Sequence, residues 1–141
     1  MKTGPLASTL FAGALIGFAA ARPAAAGDYD GSKPLICAAL TGVSCQANGQ
    51  CRQDTVESLH IPQFFWLDAG AKTVGEKGPD GQVRTTSFQT SSQSQTHLIL
   101  QGTTDRLGWS ATISKVSGKL IMTEADGAAA QIIFGACTPA K

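Results

Sequence analysis

Four cysteines, Cys37, Cys45, Cys51 and Cys137, are the residues whose type and spacing define a chemistry most clearly. Thiols can ligate a metal, cycle between redox states, or form structural disulfides in an oxidising compartment. The spacing argues against metal. Seven and then five residues separate the first three cysteines, whereas zinc ligands commonly stand about two to four apart. No histidine lies beside them in the zinc pattern, and no C-x-x-C redox pair is present. Two disulfides are therefore expected. Cys45 and Cys51 flank Gln46-Ala47-Asn48-Gly49-Gln50, and Asn48-Gly49 is a strong turn signal. A turn there brings Cys45 to Cys51 and leaves Cys37 to join Cys137. The other pairing, Cys37–Cys45 with Cys51–Cys137, stays open.

Other chemistry is sparse. His60 and His97 are the two histidines, and neither sits in a catalytic motif. His97 alternates onto the face opposite Leu98 and Leu100, as a rim residue does. No G-x-S-x-G, H-E-x-x-H or phosphate-cradling glycine loop occurs. Asp68 opens a turn, where a carboxylate ordinarily accepts backbone hydrogen bonds. Pairing it with Glu124 or Asp126 as an acid/base couple has no support from spacing. No metal and no cofactor are expected.

The start of the chain bears on the compartment. Lys2 precedes an uncharged, mostly apolar run from Leu6 to Ala21, and Ala24-Ala25-Ala26 supplies small residues for a signal peptidase. Residues 1–26 are read as a signal peptide, with cleavage before Gly27. The run is short and rich in Ala and Gly for a membrane anchor. The expected location is periplasmic or secreted, off the membrane after cleavage. Residues 27–141 are about 115 of the 141, enough for one domain. Without Lys2 and Arg22 the domain carries nine basic and ten acidic side chains, a net charge of −1. That balance argues against nucleic acid as the partner.

The elements that must position these residues read as β. Residues 37–52 form a Cys-rich, loop-like opening segment. Asp54 to His60 has capping-box spacing at Asp54 and Glu57 and is the one candidate short helix, stopped by Pro62. Beyond it, strand-like runs are Gln63–Leu67, Lys72–Gly75, Val83–Gln89, Thr96–Leu100, Leu107–Ser114, Lys119–Glu124 and Ala130–Phe134. Ser91–Ser94 reads as a tip between two of them. Turn signals such as Gly78-Pro79-Asp80-Gly81 and Ala125-Asp126-Gly127 separate the runs. Seven short strands on local turns make an all-β antiparallel meander, closed as a small barrel or folded as a sandwich. The Ser/Thr/Gln-rich stretch Thr85–Thr96 reads as a solvated edge hairpin, or as a hydrogen-bonding surface.

Phe64-Phe65-Trp66 puts large rings on both faces of one strand, because side chains alternate. Phe65 and Leu67 are expected inward with Trp109 and Ile113. Phe64 and Trp66 are then the candidate binding surface, since contact hot spots favour large rings.

The pieces Ile61-Pro62-Gln63-Phe64-Phe65-Trp66-Leu67-Asp68, Leu98-Ile99-Leu100-Gln101-Gly102, Gly108-Trp109-Ser110, Ser117-Gly118-Lys119-Leu120 and Phe134-Gly135-Ala136-Cys137-Thr138-Pro139 resemble a group of small exported bacterial proteins without an assigned function. The resemblance covers about residues 37–139. It implies a shared fold and export, and brings no activity. Three function classes follow. The first is a non-catalytic protein-binding accessory or inhibitor. The second is a carrier of a small apolar ligand, disfavoured by how few large apolar residues there are to line a cavity. The third is a small hydrolase, placed last for want of a nucleophile and base.

Overall fold

The computed structural model describes residues 28–104 and 106–141, and the expected signal segment 1–26 lies outside the described residues. Ten strands follow one another: β1 (Leu35–Gln46), β2 (Cys51–Asp54), β3 (Phe64–Asp68), β4 (Thr73–Lys77), β5 (Val83–Ser87), β6 (Thr90–Gln93), β7 (His97–Thr103), β8 (Gly108–Ser114), β9 (Lys119–Ala125) and β10 (Ala129–Pro139). All pairings are antiparallel.

The longest strand is where a loop was expected. Ala, Gly, Thr and Cys dominate β1 and are indifferent strand formers, so local propensity does not reveal it. Its neighbours make it a strand. β10 pairs along its length on one side, while β3 and β2 pair with its first and second halves on the other. A bulge between Ala39 and Thr41 separates the halves and leaves Leu40 exposed.

The sheet runs in the order β5-β4-β3-β1-β10-β9-β8-β7-β6, with β2 beside β1. This is two meanders joined at the β1–β10 seam. The end strands β5 and β6 are consecutive in the chain, linked by Phe88 and Gln89 alone. The sheet therefore curls until its two ends meet at that corner. There the Phe88 N–H donates to Lys72 O at 2.9 Å and the Gln89 N–H to Gln101 O at 3.0 Å. Phe88 turns inward, 3% exposed, and meets the Trp109 ring edge-on at a centroid distance of 5.8 Å. The expected barrel-like meander is thus the architecture, with ten strands in place of seven. Of the expected Ser91–Ser94 tip, Ser91–Gln93 belong to β6. The Thr85–Thr96 stretch is mostly exposed, but it is one chain bent across two sheet edges, not a hairpin.

The expected helix at residues 54–60 is a single turn. Asp54 belongs to β2, where Arg52 Nε holds it at 2.8 Å. The cap is the Thr55 hydroxyl oxygen, which accepts the Ser58 N–H at 3.2 Å. His60 then takes a left-handed conformation, φ 59°, so the Ile61 N–H reaches Val56 O and the His60 N–H reaches Glu57 O. That bond pattern ends a helix. The stop therefore comes at His60, before Pro62. Val56, Leu59 and Ile61 from this turn are buried in the core.

Cys37–Cys137 and Cys45–Cys51 are the two disulfides, each between strand residues directly opposite in register. The first is buried under the sheet and the second is near the surface. Leu35, Leu67, Leu98, Leu100, Ile113, Leu120 and Ile133 fill the interior around the first. Tyr29, in the polar lead-in, packs against that core.

Candidate functional site

Strand alternation decides which side chains face the hollow of the sheet. On β3 they are Phe65 and Leu67, both 2% exposed, as expected from the sequence. Register then carries the inward parity outward. Phe65 stands opposite Glu76 and Leu67 opposite Val74, while Glu76 and Val74 stand opposite Arg84 and Thr86. On the far wall Leu120, Met122 and Glu124 alternate inward along β9, and Trp109 on β8 lies opposite Glu124. The leucines, isoleucines and Phe88 fill the middle. The residues beyond them leave a cavity of about 240 Å³, lined by Phe65, Leu67, Val74, Leu107, Trp109 and Met122 with Glu76, Arg84 and Glu124.

Gly102 is needed to form this wall. It lies opposite Trp109, and a Cβ there would come within 2.5 Å of the indole ring. The absent side chain lets the ring lie across β7.

The charges are unevenly matched. Arg84 stands opposite Glu76 in register, yet its guanidinium goes to Asp80 at 3.1 Å. Neither Glu76 nor Glu124 has an ion-pair partner among the described residues. Burial against the apolar wall pushes the Glu124 carboxyl above the usual carboxylate range. Beside Glu124, on β10, is Gln131, whose buried side-chain oxygen has no hydrogen-bond partner among the described residues. A second, smaller cavity of about 50 Å³ touches Leu107, Glu124 and Gln131.

A carboxyl that is easier to protonate in the folded than in the unfolded chain takes up protons on folding between the two pKa values. Stability then rises as pH falls through that window and is lowest above it. Glu124→Gln should therefore raise the melting temperature at pH 7, and the gain should vanish once the pH falls below the ordinary carboxylate range. Thermal melts of both proteins across that range test this. A variant that melts lower at pH 7 would show that ionised Glu124 is stabilised by a partner.

The other expected site residues are dispersed. Phe64 is 58% exposed on the outer face. Trp66 shares that face but is half-buried. It stands opposite Gly75, and its ring lies 3.8 Å from where a Gly75 Cβ would be. His60 is in the turn before β3, and His97 is bonded to the Thr96 hydroxyl at 2.8 Å. Asp68 accepts the Ala71 N–H at 2.8 Å, the turn role expected of it. Asp126 accepts from Ala128 and Ala129, which holds its carboxyl below the usual range. Of the three acids considered as a couple, Glu124 alone lines the cavity of about 240 Å³. Glu76, Arg84, Leu107 and Met122 were not singled out by sequence. Glu124 was considered from sequence only as an acid/base partner of Asp68; it lies two residues after Met122, on the same face of β9. The pairing of Glu76 with Phe65 needed the register.

Among the described residues no group of three or more His, Cys, Asp or Glu side chains is placed to hold a metal ion. No described helix is long and apolar enough to cross a membrane. Compared with family models, curated proteins and solved structures, the chain matches none.

Proposed function

We propose that this chain is an exported, non-catalytic binding protein that holds a small ligand at the open end of its curled sheet. Two disulfides fit an oxidising compartment. With the leader read at residues 1–26, the mature chain begins near Gly27 in the periplasm or medium. The observation that carries the ligand reading is the cavity of about 240 Å³, walled by rings and aliphatic groups and bordered by a few polar ones. Ligand sites have that composition. The volume lies below the roughly 300–1,000 Å³ of drug-sized sites, so the occupant is small, on the scale of one aromatic ring with a short substituent. A non-catalytic role agrees with Asp68 and Asp126 being engaged in turns and with both histidines lying away from the cavity lining.

Trp109 can report on the site. The chain has two tryptophans, and Trp66→Phe leaves Trp109 as the single emitter. Titration with indole-free monocyclic aromatics bearing amine, alcohol or carboxylate groups should give a saturable emission change with at least one class. If none of the three saturates by fluorescence or calorimetry, the ligand reading fails.

A second reading, protein binding through the outer face, is favoured by one observation. Phe64 is exposed, and Leu40, Ile121 and Phe134 are exposed apolar residues on neighbouring strands. Trp66 is the weaker anchor because it already covers Gly75. Phe64→Ser should then abolish partner capture from periplasm with almost no change in melting temperature. Capture that survives Phe64→Ser would sink this reading.

A further inference from the structure

We infer that the cavity at the open end of the sheet takes an organic cation: a small aromatic or aliphatic amine whose ammonium group sits at Glu124. The inference rests on the ligand-site reading above and adds the ligand's class to it.

Three observations converge. The first is the charge balance. Arg84 is committed to Asp80 at 3.1 Å. Arg106, on the turn before β8, does not line the cavity. The one described base in the lining, Arg84, thus has an acid of its own, whereas Glu76 and Glu124 have no ion-pair partner among the described residues. A carboxylate beside an apolar wall has lost water without gaining a counter-charge, and a ligand cation restores that interaction. The second is the acceptor pair. Glu124 and Gln131 stand opposite each other in register, and the Gln131 side-chain oxygen is buried without a donor. Two acceptors side by side ask for a group with several N–H donors, which an ammonium supplies. The smaller cavity of about 50 Å³, lined by both together with Asp126, accommodates a group of that size. The third is the wall itself. Trp109 lies opposite Glu124 on the inner face, so one ligand can meet the carboxylate with its ammonium and the indole with its cation or ring. An anionic ligand would face two unpaired carboxylates, and a neutral one would leave the acceptors without a charge partner.

The test uses the mature, disulfide-bonded protein and three probes of matched shape: 2-phenylethylamine, 2-phenylethanol and phenylacetate. Binding is followed by calorimetry at pH 7 and low salt. The amine should bind about tenfold more tightly than the alcohol, a difference of about 1.4 kcal/mol, and phenylacetate should be the weakest. Glu124→Gln should bring the amine down to about the level of the alcohol while keeping a single cooperative melt, which separates a lost charge from a damaged fold. Raising the salt should weaken the amine alone. If the alcohol or phenylacetate binds as tightly as the amine, or if Glu124→Gln leaves amine binding intact, the cation inference is overturned and the ligand site stands. If no probe binds, both fall together.

Discussion

Replacing Cys37 and Cys137 together by alanine should destabilise the protein more than replacing Cys45 and Cys51. The first disulfide closes a loop with a sequence separation of 100, the second one of 6. In the loop-entropy model these restrict the unfolded chain by about 4.7 and about 2.4 kcal/mol respectively. Burial enlarges the difference. Cys37 is fully buried at the β1–β10 seam, so its loss also removes packing from the middle of the core. Cys45–Cys51 ties a short surface hairpin that its own Asn48-Gly49 turn already favours, with the Gly49 N–H donating to Gln46 O at 2.9 Å. Denaturant unfolding of the two double variants measures the difference. Equal losses, or a larger loss at Cys45–Cys51, would show that the seam holds without its cross-link.

Gly135→Ala should be the most damaging single change among the sheet glycines. Gly135 lies on β10 opposite Ala39, beside the β1 bulge. A Cβ at Gly135 would run into the carbonyl oxygen of Ala38, which is main chain and cannot swing aside. Relieving the clash requires β1 and β10 to separate where the two meanders join. Overpacking of this kind typically costs about 1–3 kcal/mol, and in a domain this size each kcal/mol moves the melting temperature by roughly 4–8 °C. Gly108→Ala is the control, because nothing lies within 4 Å of its added Cβ. It should melt within about 2–4 °C of the parent, since open-site substitutions cost no more than about 0.5 kcal/mol. Equal melting of the two variants would mean that the seam yields at little cost.

Much of the architecture was legible from short-range signals. β8 alternates cleanly between apolar and polar residues, while β7 and β9 carry short apolar runs, Leu98–Leu100 and Leu120–Met122, between Gly, Ser and Asp turns, so local pattern locates all three. Alternation on β3 required one pair of side chains to face out, but only the rarity of a fully buried Trp favoured turning Phe65 and Leu67 inward, and the structure does bury them. β1 was not readable. Its side chains are small and its strand character comes from β10, β3 and β2 bonding to it. The turn at residues 55–60 has the caps of a helix but only one turn between them, because His60 turns left-handed within five residues of Thr55.

By itself the sequence determined the even cysteine count, the turn between Cys45 and Cys51, and the alternation of β8. These are local properties, carried by residues near one another in the chain. The tertiary structure alone decided that the ends of the sheet meet at Phe88–Gln89, that Glu76 and Glu124 border one cavity, and that Trp66 lies over Gly75. Each of these joins residues brought together by register and curl. Shifting one strand by a single residue would exchange its inner and outer faces. A site assembled from alternate residues of five strands therefore exists only once every register is set, and no spacing along the chain can stand in for that.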